Sequence, residues 1–180
     1  MTSSQTSETS TFSADFHEGI VRIQQAASNA DSFHRKLYYS NVVSLMEKYL
    51  SDLFLYEITE NDEKFNLMTS AQKFQTQKYP VAEIFNGDVK EKVITSIKNL
   101  VWHRLNDIDP LFKHTFGIRI HIHTGLTDKL ALRHDLVHRN GYTLAGELVD
   151  ITLEKLNECI QTIVDFVDDI ENKYQIYLQQ

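Results

Sequence analysis

The chain holds one cysteine, two prolines and six glycines in 180 residues. Each scarcity excludes something. A single thiol, Cys159, can build neither a disulfide framework nor a cysteine-based zinc site, so a reducing compartment is expected. So few helix breakers favour long helices over a turn-rich β fold. No run approaches the roughly 18 consecutive apolar residues that span a bilayer. The N-terminal MTSSQTSETSTFS has neither the basic n-region nor the apolar h-region of a secretory signal. A cytoplasmic protein with no membrane partner is expected. Glycine-rich phosphate loops of the Rossmann or P-loop kind are missing, and no serine or cysteine stands in a setting suited to a hydrolase nucleophile.

Apolar residues at 42% and charged residues at 24% are ordinary for a globular chain, and this length can bury a continuous core without staples. The expectation is an all-α fold in one domain over residues 14–180. It follows a Ser/Thr-rich tail over residues 1–13, which has too little apolar surface to offset the entropy of ordering it. Phe16, Ile20, Ile23, Ala26 and Ala27 predict a helix from Asp15 to about Asn29. A second helix, from about Phe33 to Tyr56 after the Asp31-Ser32 cap signal, carries Tyr39, Val43, Met46, Leu50 and Leu53 at steps of four and three. A third is expected from Asp62 to Gln77 and a fourth from about Asn86-Gly87-Asp88 to Asn106, ending before Pro110.

Between Pro110 and Thr127 the helical period gives way to alternation. Ile118, Ile120 and Ile122 interleave with Arg119, His121 and His123, which predicts a short strand or extended segment. Thr127 or Asp128 is expected to cap a following helix through LALRHDLVHRN, with Gly141 ending it. From Val149 to Tyr177 apolar residues recur at steps of four and three without an error, the mark of a long bundle helix or coiled-coil-like interface.

A net charge of −7 argues against a protein that coats nucleic acid through its whole surface. The charge is uneven, however. Lys113 to Arg139 holds five Lys or Arg against two acids, with five of the eight histidines, whereas Glu147 to Glu171 holds eight acids against Lys155 alone. A polyanion site therefore belongs in the first segment.

That segment contains Arg133, His134 and His138 within six residues. On a helix His134 and His138 are about 40° apart, and Arg133 and His138 about 140° apart. Cleaving an RNA phosphodiester requires a base for the 2′-hydroxyl, an acid for the leaving 5′ oxygen, and a cation for the crowded phosphorane. Histidine can be the acid or the base near neutral pH, and arginine holds phosphate through two N–H groups while staying charged. One Arg-His pair is half of that set. Two pairs joined by a two-fold axis would complete it, so the chemistry predicts a homodimer with the site across its interface.

The stretch RHDLVHRNG resembles the R-x4-6-H motif of HEPN domains, with Arg133, the polar His134, three further residues, and His138. The layout is similar over roughly residues 15–178: the core helix SNVVSLMEKYLSDLF, a connecting region ending in LFKHTFGI, the motif, and a long last helix. The resemblance implies a HEPN-like helical bundle that dimerises through the motif region. It also implies a metal-independent endoribonuclease without cofactor, of the kind used in toxin-antitoxin, antiphage or RNA-processing roles, with an antitoxin or effector protein as a further partner. By position, Arg133 and His138 would be catalytic and His134 auxiliary. Glu47 resembles an acidic residue that some members place near the site, and Arg139, Asn140, His121 and His123 are candidate RNA contacts. Members paired with a nucleotidyltransferase antitoxin carry a tyrosine two residues after the histidine; Asn140 stands there instead.

Other readings fit the same residues. Asp135 and Arg139 have the spacing of an i,i+4 ion pair. Ser40, Ser44, Glu47 and Ser51 recur on one face of the second helix, as a solvated stripe would. His134 and His138 with His121 or His123 could bind zinc, although the glutamate of a hydrolytic HExxH helix is missing. A non-catalytic dimerisation or protein-interaction module, using the Val149–Tyr177 stripe and the acidic last helix, is the alternative to an enzyme.

Overall fold

The computed structural model describes residues 10–85, 87 and 89–180. Most of the expected N-terminal tail, residues 1–9, lies outside them, as do Asn86 and Asp88 at the expected start of the fourth helix. Among the described residues the fold is all-α, with nine helices and no strand. Two compact units divide the chain at Tyr49/Leu50 and Ile120/His121.

The first unit comprises residues 10–49 and 121–180. Helix α1 (Thr11–Ala27) opens four residues before its expected start, because the side chain of Ser10 accepts a hydrogen bond from the Ser13 N–H and caps it. Composition alone places Thr11 to Ser13 in the tail. A tertiary anchor overrides it: the Ser10 N–H and Oγ both donate to Glu171, at 2.8 Å each. Tyr49 also donates to this buried carboxylate at 2.9 Å, and the combination of burial and the adjacent carboxylate pushes the phenol far above its ordinary range.

Phe16, Ile20, Ile23 and Ala27 form the buried stripe of α1, which packs on α9 (Leu153–Leu178). Thr152 caps α9 by accepting from the Lys155 N–H. The predicted apolar repeat lies inside this unit, with Leu156, Ile160, Ile163, Val167, Ile170 and Tyr174 all buried. Each such side chain contributes roughly 1.5–3 kcal/mol through burial. From α2 (Ser32–Glu60) this unit takes Tyr39, Val42, Val43, Met46 and Tyr49.

The second unit, Leu50–Ile120, departs further from expectation. The predicted helix from Asp62 to Gln77 is interrupted: α3 (Asp62–Thr69), capped by Asn61, stops at Ser70, and α4 (Gln72–Gln75) is a separate turn. Two further helices, α5 (Val81–Phe85) and α6 (Val89–Lys98), precede α7 (Leu105–Phe116).

α7 corrects the expectation that helix is lost after Pro110. Proline has no N–H to donate to the fourth residue before it; that residue, Asn106, is exposed, so water can satisfy its carbonyl. Leu105, Ile108, Leu111, Phe112 and Phe116 meanwhile bury one face. Phe112 and Phe116 join Phe54 in a cluster with ring centroids 5.3–5.5 Å apart. Such packing outweighs one missing hydrogen bond. Gly117, at φ 70°, ends the helix.

From Ile118 to His123 the chain forms neither helix nor strand. The alternation is observed, with Ile118 and Ile120 buried and Arg119, His121 and His123 exposed. Asp109 fixes its start, accepting from the Ile120 N–H at 2.8 Å and pairing with Arg119 at 3.3 Å.

Candidate active site

The motif lies on α8 (Thr124–His138) in the first unit. This helix starts earlier than predicted, and its cap is neither Thr127 nor Asp128. His123 is the cap: its Nδ1 accepts from the Leu126 N–H at 3.3 Å. Histidine is not among the usual capping residues, so the sequence offered no signal for this. His123 is therefore built into the helix start, while His121 is exposed beside it with ring centroids 5.7 Å apart.

At the other end Asn140 (φ 53°) and Gly141 (φ 81°) stop the helix, and the Gly141 N–H donates to the Asp135 carbonyl at 3.1 Å. The helix thus stops at His138, two residues short of its expected end, and the left-handed position expected of Gly141 falls first on Asn140. Asn140 is tolerated there because its short polar side chain lowers the penalty of positive φ. α8 packs on α9, with Leu126 buried and Lys129 paired to Glu158 at 2.9 Å. That ammonium holds the Glu158 carboxyl below its ordinary range.

Between these two ends Arg133 and His138 differ in setting, consistent with their angular separation on the helix. Arg133 is only 14% exposed, and its Nη2 stands 3.6 Å from Oε2 of Glu47 on α2. Its Nε is buried with no hydrogen-bond partner. Glu47, read as one member of a polar stripe or as an acidic neighbour of the motif, is thus brought to Arg133 and is 22% exposed. His138 is exposed in the last turn, and the His134 ring lies over it with centroids 4.6 Å apart. Asp135 and Arg139 form the i,i+4 ion pair that their spacing predicted.

The local positive region is more neutralised than composition implies. Of its five basic residues Arg119, Lys129, Arg133 and Arg139 each pair with a carboxylate. One cation that the motif did not indicate lies close by: a Cβ added to Gly141 would meet Lys36 Nζ at 3.3 Å. Lys36 on α2 therefore stands against the end of the motif helix.

The zinc reading is not assembled as three ligands. Among the described residues no group of three or more His, Cys, Asp or Glu is placed to hold a metal ion. A cavity of about 520 Å³ occurs in the second unit, lined by Lys73, Asn106, Asp107, Leu111 and His114 among others, and includes none of the predicted site residues. No described helix is long and apolar enough to cross a membrane.

No family model, curated protein or solved structure matches the chain. The likeness to HEPN domains thus rests on RHDLVHRNG and the order of the helices alone.

Proposed function

We propose that the chain is a HEPN-type, metal-independent endoribonuclease whose site is completed by a second copy of itself. The observation that carries this reading is the disposition of α8: a desolvated Arg133 aimed by Glu47, and an exposed His138 one and a half turns further on. Arginine has five N–H donors, and a single contact to Glu47 leaves others for phosphate oxygens.

In the proposed reaction, His138 of one copy takes the 2′-hydroxyl proton and the 2′ oxygen attacks phosphorus. The bond to the 5′ oxygen breaks, and that oxygen leaves with a proton from the equivalent histidine of the second copy. The products are a 2′,3′-cyclic phosphate and a 5′-hydroxyl end. Arg133 stabilises the charge that develops on the phosphorane. No metal is needed for any step.

The surface around the motif supports pairing with a second copy. Phe33, Leu37, Val137, Tyr142, Leu144 and Leu148 are exposed by 45–86%. They belong to neighbouring segments: Ser32 bonds Asp150 at 2.7 Å, Arg35 donates to the Ile151 carbonyl at 2.8 Å, and Tyr142 bridges to Leu148. Clustered exposed apolar residues mark association surfaces. Most of the Val149–Tyr177 stripe is spent inside the first unit, with Leu156, Ile160, Ile163, Val167, Ile170 and Tyr174 buried and Leu153 exposed. A role in toxin-antitoxin or antiphage function, with an antitoxin or effector partner, extends the same proposal and rests on the family resemblance.

The second reading, a non-catalytic interaction module, is favoured by the pairing of most cations in the motif region. RNA incubated with the protein in excess EDTA separates the two. The nuclease reading predicts cleavage with cyclic phosphate ends, lost in His138→Ala; intact RNA, or cleavage unaffected by the substitution, favours the module.

A further inference from the structure

We infer that His134 and His138 form a two-histidine chelate for a borderline divalent cation, of which Zn²⁺ is the representative. The two are one helical turn apart, both exposed, with ring centroids 4.6 Å apart and planes inclined by 44°. Zinc binds imidazole nitrogen at about 2.0–2.1 Å, so tetrahedral geometry places two such nitrogens roughly 3.3 Å apart. Two histidines four apart on one helix face, with rings this close, are spaced to present one nitrogen each to a shared ion.

The backbone beneath them is fixed on both sides. His123 caps the start of the helix, and Asn140 with Gly141 closes its end. Asp135, which lies between the histidines in sequence, is engaged by Arg139. A chelate whose two ligands are already held together loses little entropy on binding. Water would fill the remaining positions, because no third protein ligand is within reach among the described residues.

The lone pair that binds a cation is the one that would accept a proton. Occupation by zinc therefore removes His138 from acid–base work, and the ion acts on this site as an inhibitor. That consequence rests on the proposed ribonuclease reading; the binding itself does not.

Isothermal titration of untagged protein with zinc chloride, in a buffer that does not coordinate metals, tests the chelate. Wild-type protein is expected to bind one ion per chain through these rings. His134→Ala and His138→Ala should each weaken binding by at least about tenfold, with the helical circular dichroism unchanged, while His121→Ala leaves the affinity as it was. Failure of the wild type to bind, or equal affinity in all variants, overturns the inference. In parallel, zinc should suppress RNA cleavage and EDTA restore it. Histidine-dependent binding by a protein that cuts no RNA in EDTA would leave the chelate standing and sink the ribonuclease. Cleavage that persists with the chelate saturated would contradict the inhibitory role.

Discussion

Replacing Glu47 by glutamine and Arg133 by methionine, singly and together, measures the contact on which the orientation of the motif arginine depends. Charges 3.6 Å apart attract by roughly 4.6 kcal/mol at an effective dielectric constant of about 20. Desolvation offsets much of that. Breaking a fully buried pair costs about 3–5 kcal/mol and an exposed one about 0–1 kcal/mol. With 14% and 22% of the two side chains exposed, an intermediate loss of roughly 2 kcal/mol per single substitution follows. The double variant should lose less than the sum, giving a coupling energy of about 1.5 kcal/mol in denaturant unfolding. A coupling below about 0.3 kcal/mol would show that the two side chains do not interact in solution, and the account of how Arg133 is aimed would be wrong.

Substitution or titration at three other residues has equally definite outcomes. His123→Ala removes the cap of α8 and should cost about 1 kcal/mol, with faster amide hydrogen exchange at Leu126, whereas His123→Asn should retain most of the stability. The Cys159 thiol is pushed by burial from 9.0 up to about 12, so the native protein should resist thiol reagents at pH 8 and react only on unfolding. Because the folded value is raised, this group's contribution is complete below pH 9.0 and is lost as pH rises towards about 12, which an alkaline stability profile would record. Ile163→Asp should unfold the chain rather than dissociate an assembly, since it puts a charge in the core of the first unit; a folded monomer by circular dichroism and light scattering would contradict that.

How far the fold could be read from the sequence depended on how local its causes are. The second and last helices were legible because Tyr39 to Leu53 and Leu156 to Tyr174 repeat over many turns, and the same residues are buried. The ion pair of Asp135 with Arg139 was legible because spacing alone sets it. The start of α1 was not, because it depends on Glu171, 161 residues away from Ser10. Helix α7 was not legible because Pro110 argues against helix locally, while the aromatic packing that offsets it is tertiary. Within the candidate site, the juxtaposition of His134 and His138 was legible from their i,i+4 spacing, whereas helix spacing could not show that Arg133 turns inward to Glu47. His123 as a cap and Lys36 beside Gly141 carry no motif at all.

The most direct measurement for the central claim is the rate of RNA cleavage by wild type, Arg133→Ala and His138→Ala in excess EDTA, with the product ends identified. Wild type should yield 2′,3′-cyclic phosphate and 5′-hydroxyl ends. Loss of a general acid–base histidine should lower the rate by about 10²–10⁴-fold. Wild-type cleavage that requires added metal, or that survives both substitutions, would contradict the account.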